Sequence, residues 1–179
     1  MSVPSQQITA GLLEAYPWGR IRRNHGLEHA TLHILAQRFP HRAMAGHSGT
    51  DGFWILAEVS QEDVRSAADE ALERLRRGER HLAVHPNCGT NLVTAGVLAG
   101  LSGAAAMFGA GPRWRDKLDR FPVAAVLATL ALMVSQPVGS YLQTNLTTSG
   151  DPGRMSIVEI KPARRGKWHA YRVITRDEP

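Results

Sequence analysis

Asn24-His25-Gly26-Leu27-Glu28-His29-Ala30-Thr31 is the stretch from which the fold is read. On a helix, His25 and His29 stand four residues apart on one face, with Cβ atoms roughly 5–6 Å from each other. That spacing lets two imidazoles hold one metal ion. Glu28 follows His25 by three residues and points beside the pair. There a carboxylate can orient or deprotonate water without being a ligand, which is the minimal equipment for metal-assisted hydrolysis. A helix carrying a metal-binding face and an opposite core face therefore organises the front of the chain.

A second stretch, His85-Pro86-Asn87-Cys88-Gly89-Thr90, holds the single cysteine. Pro86, Asn87 and Gly89 favour a tight loop, so His85 and Cys88 form a His-x-x-Cys unit on a turn. Imidazole with thiolate suits zinc. Cys88 also precedes a helix N-terminus, where the dipole favours the thiolate. The expected zinc ligands are His25, His29, His85 and Cys88, with Glu28 as the catalytic base and His33 as a supporting or substrate-side group. Four ligands would close the site and make it structural, while three would leave a position open for chemistry.

The flanking pattern supports this frame. Leu27, Thr31, Ile34 and Leu35 recur at helical spacing, Asn24 suits an N-cap, and Pro40 ends the helix, so a helix is expected over 24–38. Residues 41–59 read as two strands around a turn, with Gly46, Gly49, Asp51 and Gly52 as turn residues and Phe53-Trp54-Ile55-Leu56-Ala57-Glu58-Val59 as the second strand. Ser60 with Asp63 forms a capping box before Val64, Ala67, Ala68, Ala71, Leu72 and Leu75, and Gly78 stops that helix. His81 to His85 reads as a short strand feeding the cysteine loop.

Composition then shifts. Residues 91–111 form twenty-one positions without a charge, enough for a helix roughly 30 Å long, the thickness of a bilayer core. Gly96, Gly100 and Ala104 make a row of small residues on that helix, a face through which a homo-oligomer can pack. A charged connection over 112–120 leads to a second uncharged stretch, Phe121 to Tyr141, with Pro137 as a kink. Two spans so joined make an antiparallel transmembrane hairpin. The tail alternates apolar and polar residues over Met155–Ile160 and Trp168–Thr175, around an Arg-Arg-Gly turn, as a β-hairpin does. At the other end, Leu12, Leu13 and Tyr16 suggest a short amphipathic piece, and Trp18 among Arg20, Arg22 and Arg23 suits a membrane interface.

The formal net charge of +5 is spread along 179 residues, and only 6% of residues are aromatic. The aromatic residues do not interleave with the basic clusters as a base-stacking surface requires. The charge is read as attraction to a bilayer surface plus solvated faces, and nucleic acid is excluded as a partner. A lone cysteine rules out an internal disulfide.

The chain resembles a family of uncharacterised bacterial membrane proteins through Arg23–Thr31, through His85-Pro86-Asn87-Cys88-Gly89-Thr90-Asn91, and through the Gly-Phe-Trp strand and the helix between them. The resemblance covers about residues 20–145 and implies no established activity. His25, Glu28 and His29 are also similar, locally, to the His-x-x-Glu-His motif of inverzincin metallopeptidases. That likeness implies His25 and His29 as ligands and Glu28 as base.

The resulting expectation is an α+β chain of three parts. Residues 1–90 form a small metal-site domain of helix, β-hairpin, helix and short strand. Residues 91–146 form the two-helix transmembrane hairpin, and residues 147–179 a β-hairpin tail. The function expected is that of a zinc-dependent, peptidase-like hydrolase of the bacterial cell membrane, its metal-site domain cytoplasmic. It would act at the bilayer surface on a membrane-protein, lipid or lipid-linked substrate. The alternative is a non-catalytic membrane protein with a structural or sensory zinc.

Overall fold

The computed structural model describes residues 11, 13–165 and 168–177. Leu12 and the Gly166–Lys167 part of the tail turn lie outside them. The elements are helix α1 (Trp18–Arg38), strands β1 (Met44–Gly49) and β2 (Gly52–Ala57), and helix α2 (Gln61–Arg76). A 3-10 turn (Arg80–Ala83) precedes helices α3 (Gly89–Met107) and α4 (Trp114–Leu142). A π turn (Gln143–Thr147) and strands β3 (Met155–Arg165) and β4 (Trp168–Asp177) complete the chain. The chain divides into two compact units, one of residues 1–85 with 144–179, the other of residues 86–143.

The first unit is an antiparallel sheet of order β1-β2-β4-β3 with α1 and α2 packed together against it. Alternation on β2 buries Phe53, Ile55 and Ala57, and their neighbours Tyr171 and Val173 on β4 join the same core. Leu27, Ile34 and Leu35 from α1 and Val64, Ala71, Leu72 and Leu75 from α2 close it. Each large aliphatic side chain buried in this way contributes about 1.5–3 kcal/mol. The helical stripes anticipated for both helices are thus the buried ones. The tail strands enter the same sheet as β1 and β2, because β2 pairs with β4 from Gly52↔Ile174 to Leu56↔Ala170.

Five local expectations change. Gly46 is not a turn residue; it lies within β1, paired with Ile55. Helix α1 begins at Trp18, six residues early, so Asn24 is not its N-cap; it is buried within the helix. Its side-chain amide nitrogen donates to Gly49 O (2.8 Å) and Thr50 O (3.1 Å), and its oxygen accepts from Thr175 Oγ1 (2.6 Å). His81–His85 is not a strand: a 3-10 turn occupies Arg80–Ala83. The charged connection is mostly helix, because Arg113 and Asp116 cap α4 at Trp114. The tail strands run on to Arg165 and Asp177. By contrast, the Ser60–Asp63 capping box is formed, and Gly78 ends α2's extension with φ +91°.

The second unit is α3 packed along α4. Both are long and apolar enough to cross a membrane. Most of their large apolar side chains, Leu92, Leu101, Val126 and Met133 among them, are exposed, as lipid-facing side chains are. Asn91, Thr94, Ser135 and Gln143 are buried instead. Gln143 Nε2 donates to Asn91 Oδ1 at 2.8 Å, and Asn91 Nδ2 donates to Pro86 O at 2.8 Å. Gly96, Gly100 and Ala104 form an exposed row on α3.

Candidate metal centre

Helix α1 carries three imidazoles down one side because 25, 29 and 33 repeat every four residues. The His25 and His29 rings lie 4.4 Å apart between centroids. His85, at the end of the first unit, stands 5.6 Å from His29 and 4.8 Å from His33. The four rings form one row, His25–His29–His85–His33.

Backbone carbonyls set the tautomers. His25 Nδ1 donates to Thr147 O (2.9 Å) and His29 Nδ1 donates to Ala83 O (2.8 Å). A carbonyl only accepts, so the proton sits on Nδ1 and Nε2 carries the lone pair that a metal takes. His33 is held the other way, Nε2 to Val84 O at 2.8 Å. The 3-10 turn matters here, since it delivers the Ala83 carbonyl and, one residue on, that of Val84. Burial, then the charges of His33 and His29, push the His85 pKa down to about 4, so this ring is neutral at neutral pH.

His25, His29 and Cys88 each offer one ligand atom, all within 4.8 Å of one another, and this group can hold a metal ion. Two imidazoles with a thiolate are a borderline-soft donor set that fits zinc, and it would be the same three residues that hold it. His85 and His33 are neighbours of this group rather than members of it. Cys88 caps α3, its sulfur accepting from Thr90 N at 3.4 Å.

Glu28 is 4% exposed. Its Oε2 accepts from Ser48 Oγ on β1, and its Oε1 lies where a side chain at Gly46 would begin. Burial raises its pKa, while the Ser48 bond and the charge of His25 pull it back down. Sequence reasoning missed Gly46 and Ser48. They are two apart on a strand and so share a face, but only the pairing of β1 with the helix shows which face meets Glu28. His41, His47, His81 and His169 are exposed, as surface histidines are.

These features define a class: an α+β chain with a histidine–cysteine group and two helices able to cross a membrane. The chain belongs to the bacterial family described as a domain of unknown function (DUF6391), whose model matches residues 20–160. It is similar to an uncharacterised protein of the cyanobacterium Picosynechococcus sp., 34% identical over 154 residues, which cover 79% of this chain and 71% of that protein. No solved structure matches the chain.

Proposed function

We propose that this protein is a membrane-bound, zinc-dependent hydrolase of peptidase-like chemistry, with His25, His29 and Cys88 as ligands and His85 as a fourth group that can join them. The observation that carries the reading is Glu28. A buried carboxylate with a raised pKa, within the field of a ligand-type histidine, is what a general base requires. Zinc held by the group would supply Lewis acidity. Glu28 would take the proton from the attacking water, and Ser48 would keep the carboxylate in one orientation. The Thr147 and Ala83 carbonyls hold the imidazoles in the lone-pair-bearing tautomer. The two candidate spans support a bilayer-surface location and a membrane-protein, lipid or lipid-linked substrate. A cytoplasmic placement for the α/β unit is part of the same proposal.

A second reading rests on burial. His29 and Cys88 are 2% and 6% exposed, and both carboxylate oxygens of Glu28 face β1. A metal that staples helix to loop, structurally or as a sensor, fits those facts.

Purified protein should carry about one zinc per chain, and His25→Ala with His29→Ala should lose it by elemental analysis. Glu28→Gln separates the two readings. For a hydrolase it keeps zinc and fold and loses hydrolysis of a quenched fluorescent peptide library by about a hundredfold or more. Full turnover by Glu28→Gln, with zinc bound, rules out the catalytic reading.

A further inference from the structure

Within the first unit, beside the Ala83 and Val84 backbone that holds His29 and His33, a cavity of about 210 Å³ is walled by three segments of chain: α1 at Arg22, the 3-10 turn at Arg80, and the segment 144–151. We infer that this cavity is a binding site for a phosphate group, held by Arg22 and Arg80.

The walls are built rather than incidental. Gly26 lets α1 approach the backbone of Ser149 so closely that any Cβ there would collide with Ser149 O. A Cβ at Gly150 would meet Arg80 Cβ at 2.8 Å. Ser149 N donates to Arg22 O at 2.9 Å, which ties the segment to the helix. Two glycines and a backbone bond therefore fix the cavity's size.

The two arginines differ in a way that points to a ligand. Arg22 uses both terminal nitrogens: Nη1 on Leu13 O and Glu14 Oε1, Nη2 on Asn145 O and Thr148 O. Its Nε–H is buried and has no acceptor among the described residues. An unsatisfied buried donor is costly to leave unmade, so this N–H wants an oxygen. Arg80 lines the same cavity, is exposed, and among the described residues its guanidinium makes no hydrogen bond or ion pair. Arg74, by contrast, is engaged with Glu79 and Glu70. One cation thus has a single unmet N–H and the other a whole fork. A tetrahedral oxyanion, with oxygens in several directions, answers both at once, whereas a carboxylate has two coplanar oxygens.

Asp151 also lines the cavity, its Oδ1 accepting from Gly153 N at 2.9 Å. A carboxylate repels an anion unless the anion donates to it. Phosphate and its monoesters carry a P–OH near neutral pH; sulfate does not. Asp151 therefore selects phosphate over sulfate. The phosphate could be free or the head group of a lipid, and the inference does not rest on the hydrolase reading.

The test uses the full chain in neutral detergent, free of phosphate and sulfate. Chelator treatment ensures that no metal in the histidine group serves as the anion's receptor. Titration calorimetry with inorganic phosphate, sodium sulfate and dihexanoyl phosphatidic acid measures binding to wild type, Arg80→Gln and Asp151→Asn. Arg80 is exposed and its side chain bonds nothing among the described residues, so Arg80→Gln should melt as wild type does. Phosphate, the short-chain lipid or both should bind, with a Kd in the millimolar range or tighter. Arg80→Gln should weaken that binding about tenfold or more, and Asp151→Asn should admit sulfate. Binding of phosphate alone identifies a free anion, and binding of the lipid alone a head group; either supports the site. No binding of either up to roughly 10 mM, or equal binding by wild type and Arg80→Gln, overturns it.

Discussion

Asn24 joins the histidine helix to both hairpins of the sheet, and its removal should be felt across the first unit. Asn24→Ala deletes three hydrogen bonds, at 2.8 Å to Gly49 O, 3.1 Å to Thr50 O and 2.6 Å from Thr175 Oγ1. At a net value of about 1 kcal/mol each, that is about 3 kcal/mol. The Thr175 side chain is 4% exposed, so its stranded hydroxyl adds about 1 kcal/mol more. Alanine's better helix propensity returns about 0.6 kcal/mol. The expected loss is therefore about 3–4 kcal/mol, a large part of a total of about 5–15 kcal/mol. Thr175→Val cuts only one of the three bonds and should cost about 1–2 kcal/mol. Urea unfolding of the full chain in detergent, followed by tryptophan fluorescence from Trp18 and Trp54, measures both. A loss under about 1 kcal/mol for Asn24→Ala, with unchanged m-value, would refute the view that this amide pins the helix to the sheet.

Gly46→Ala should cost about 1–3 kcal/mol because its Cβ displaces the Glu28 carboxylate from β1; adding Glu28→Ala should remove most of that penalty, and simple additivity of the two changes would contradict the contact. In metal-free protein, stability should fall as pH drops from about 6.5 to about 4, since the unfolded chain protonates His85 first while the fold keeps it neutral. Glu28 acts in the opposite sense: its raised pKa makes the fold hold a proton longer, so stability declines as pH rises above 4.5, and Glu28→Gln should erase that limb in pH-dependent melts. The protein should sediment with membranes and resist carbonate extraction; a monodisperse detergent-free soluble form would show α3 and α4 to be an ordinary helical pair.

The parts legible in the sequence are those set by local periodicity. The i, i+4 spacing of His25 and His29 placed both rings on one face, and the Ser60–Asp63 box fixed the start of α2 because both partners lie within one turn. Apolar length alone marked α3 and α4. What escaped was non-local. Asn24 resembles a cap in isolation, and its real partners lie 25, 26 and 151 residues away. The alternation of His81–His85 suits a strand, yet the segment's carbonyls are drawn to His29 and His33, and a 3-10 turn presents them. Ser48 and Gly46 carry no chemistry of their own until β1 lies against Glu28.

The strand order has a consequence for the ribosome. Strand β2 meets its partner β4 at Gly52↔Ile174, so 122 further residues (174 − 52) must be translated after Gly52 before the pair can form, among them both apolar helices. At about 5–20 residues per second this is roughly 6–24 s during which Phe53-Trp54-Ile55-Leu56 has an open edge. Only β1, a six-residue strand, covers its other side in that interval. Exposed apolar edges of this kind recruit other nascent chains. The histidine helix and its first hairpin must therefore wait, with one flank of the sheet uncovered, until β4 emerges.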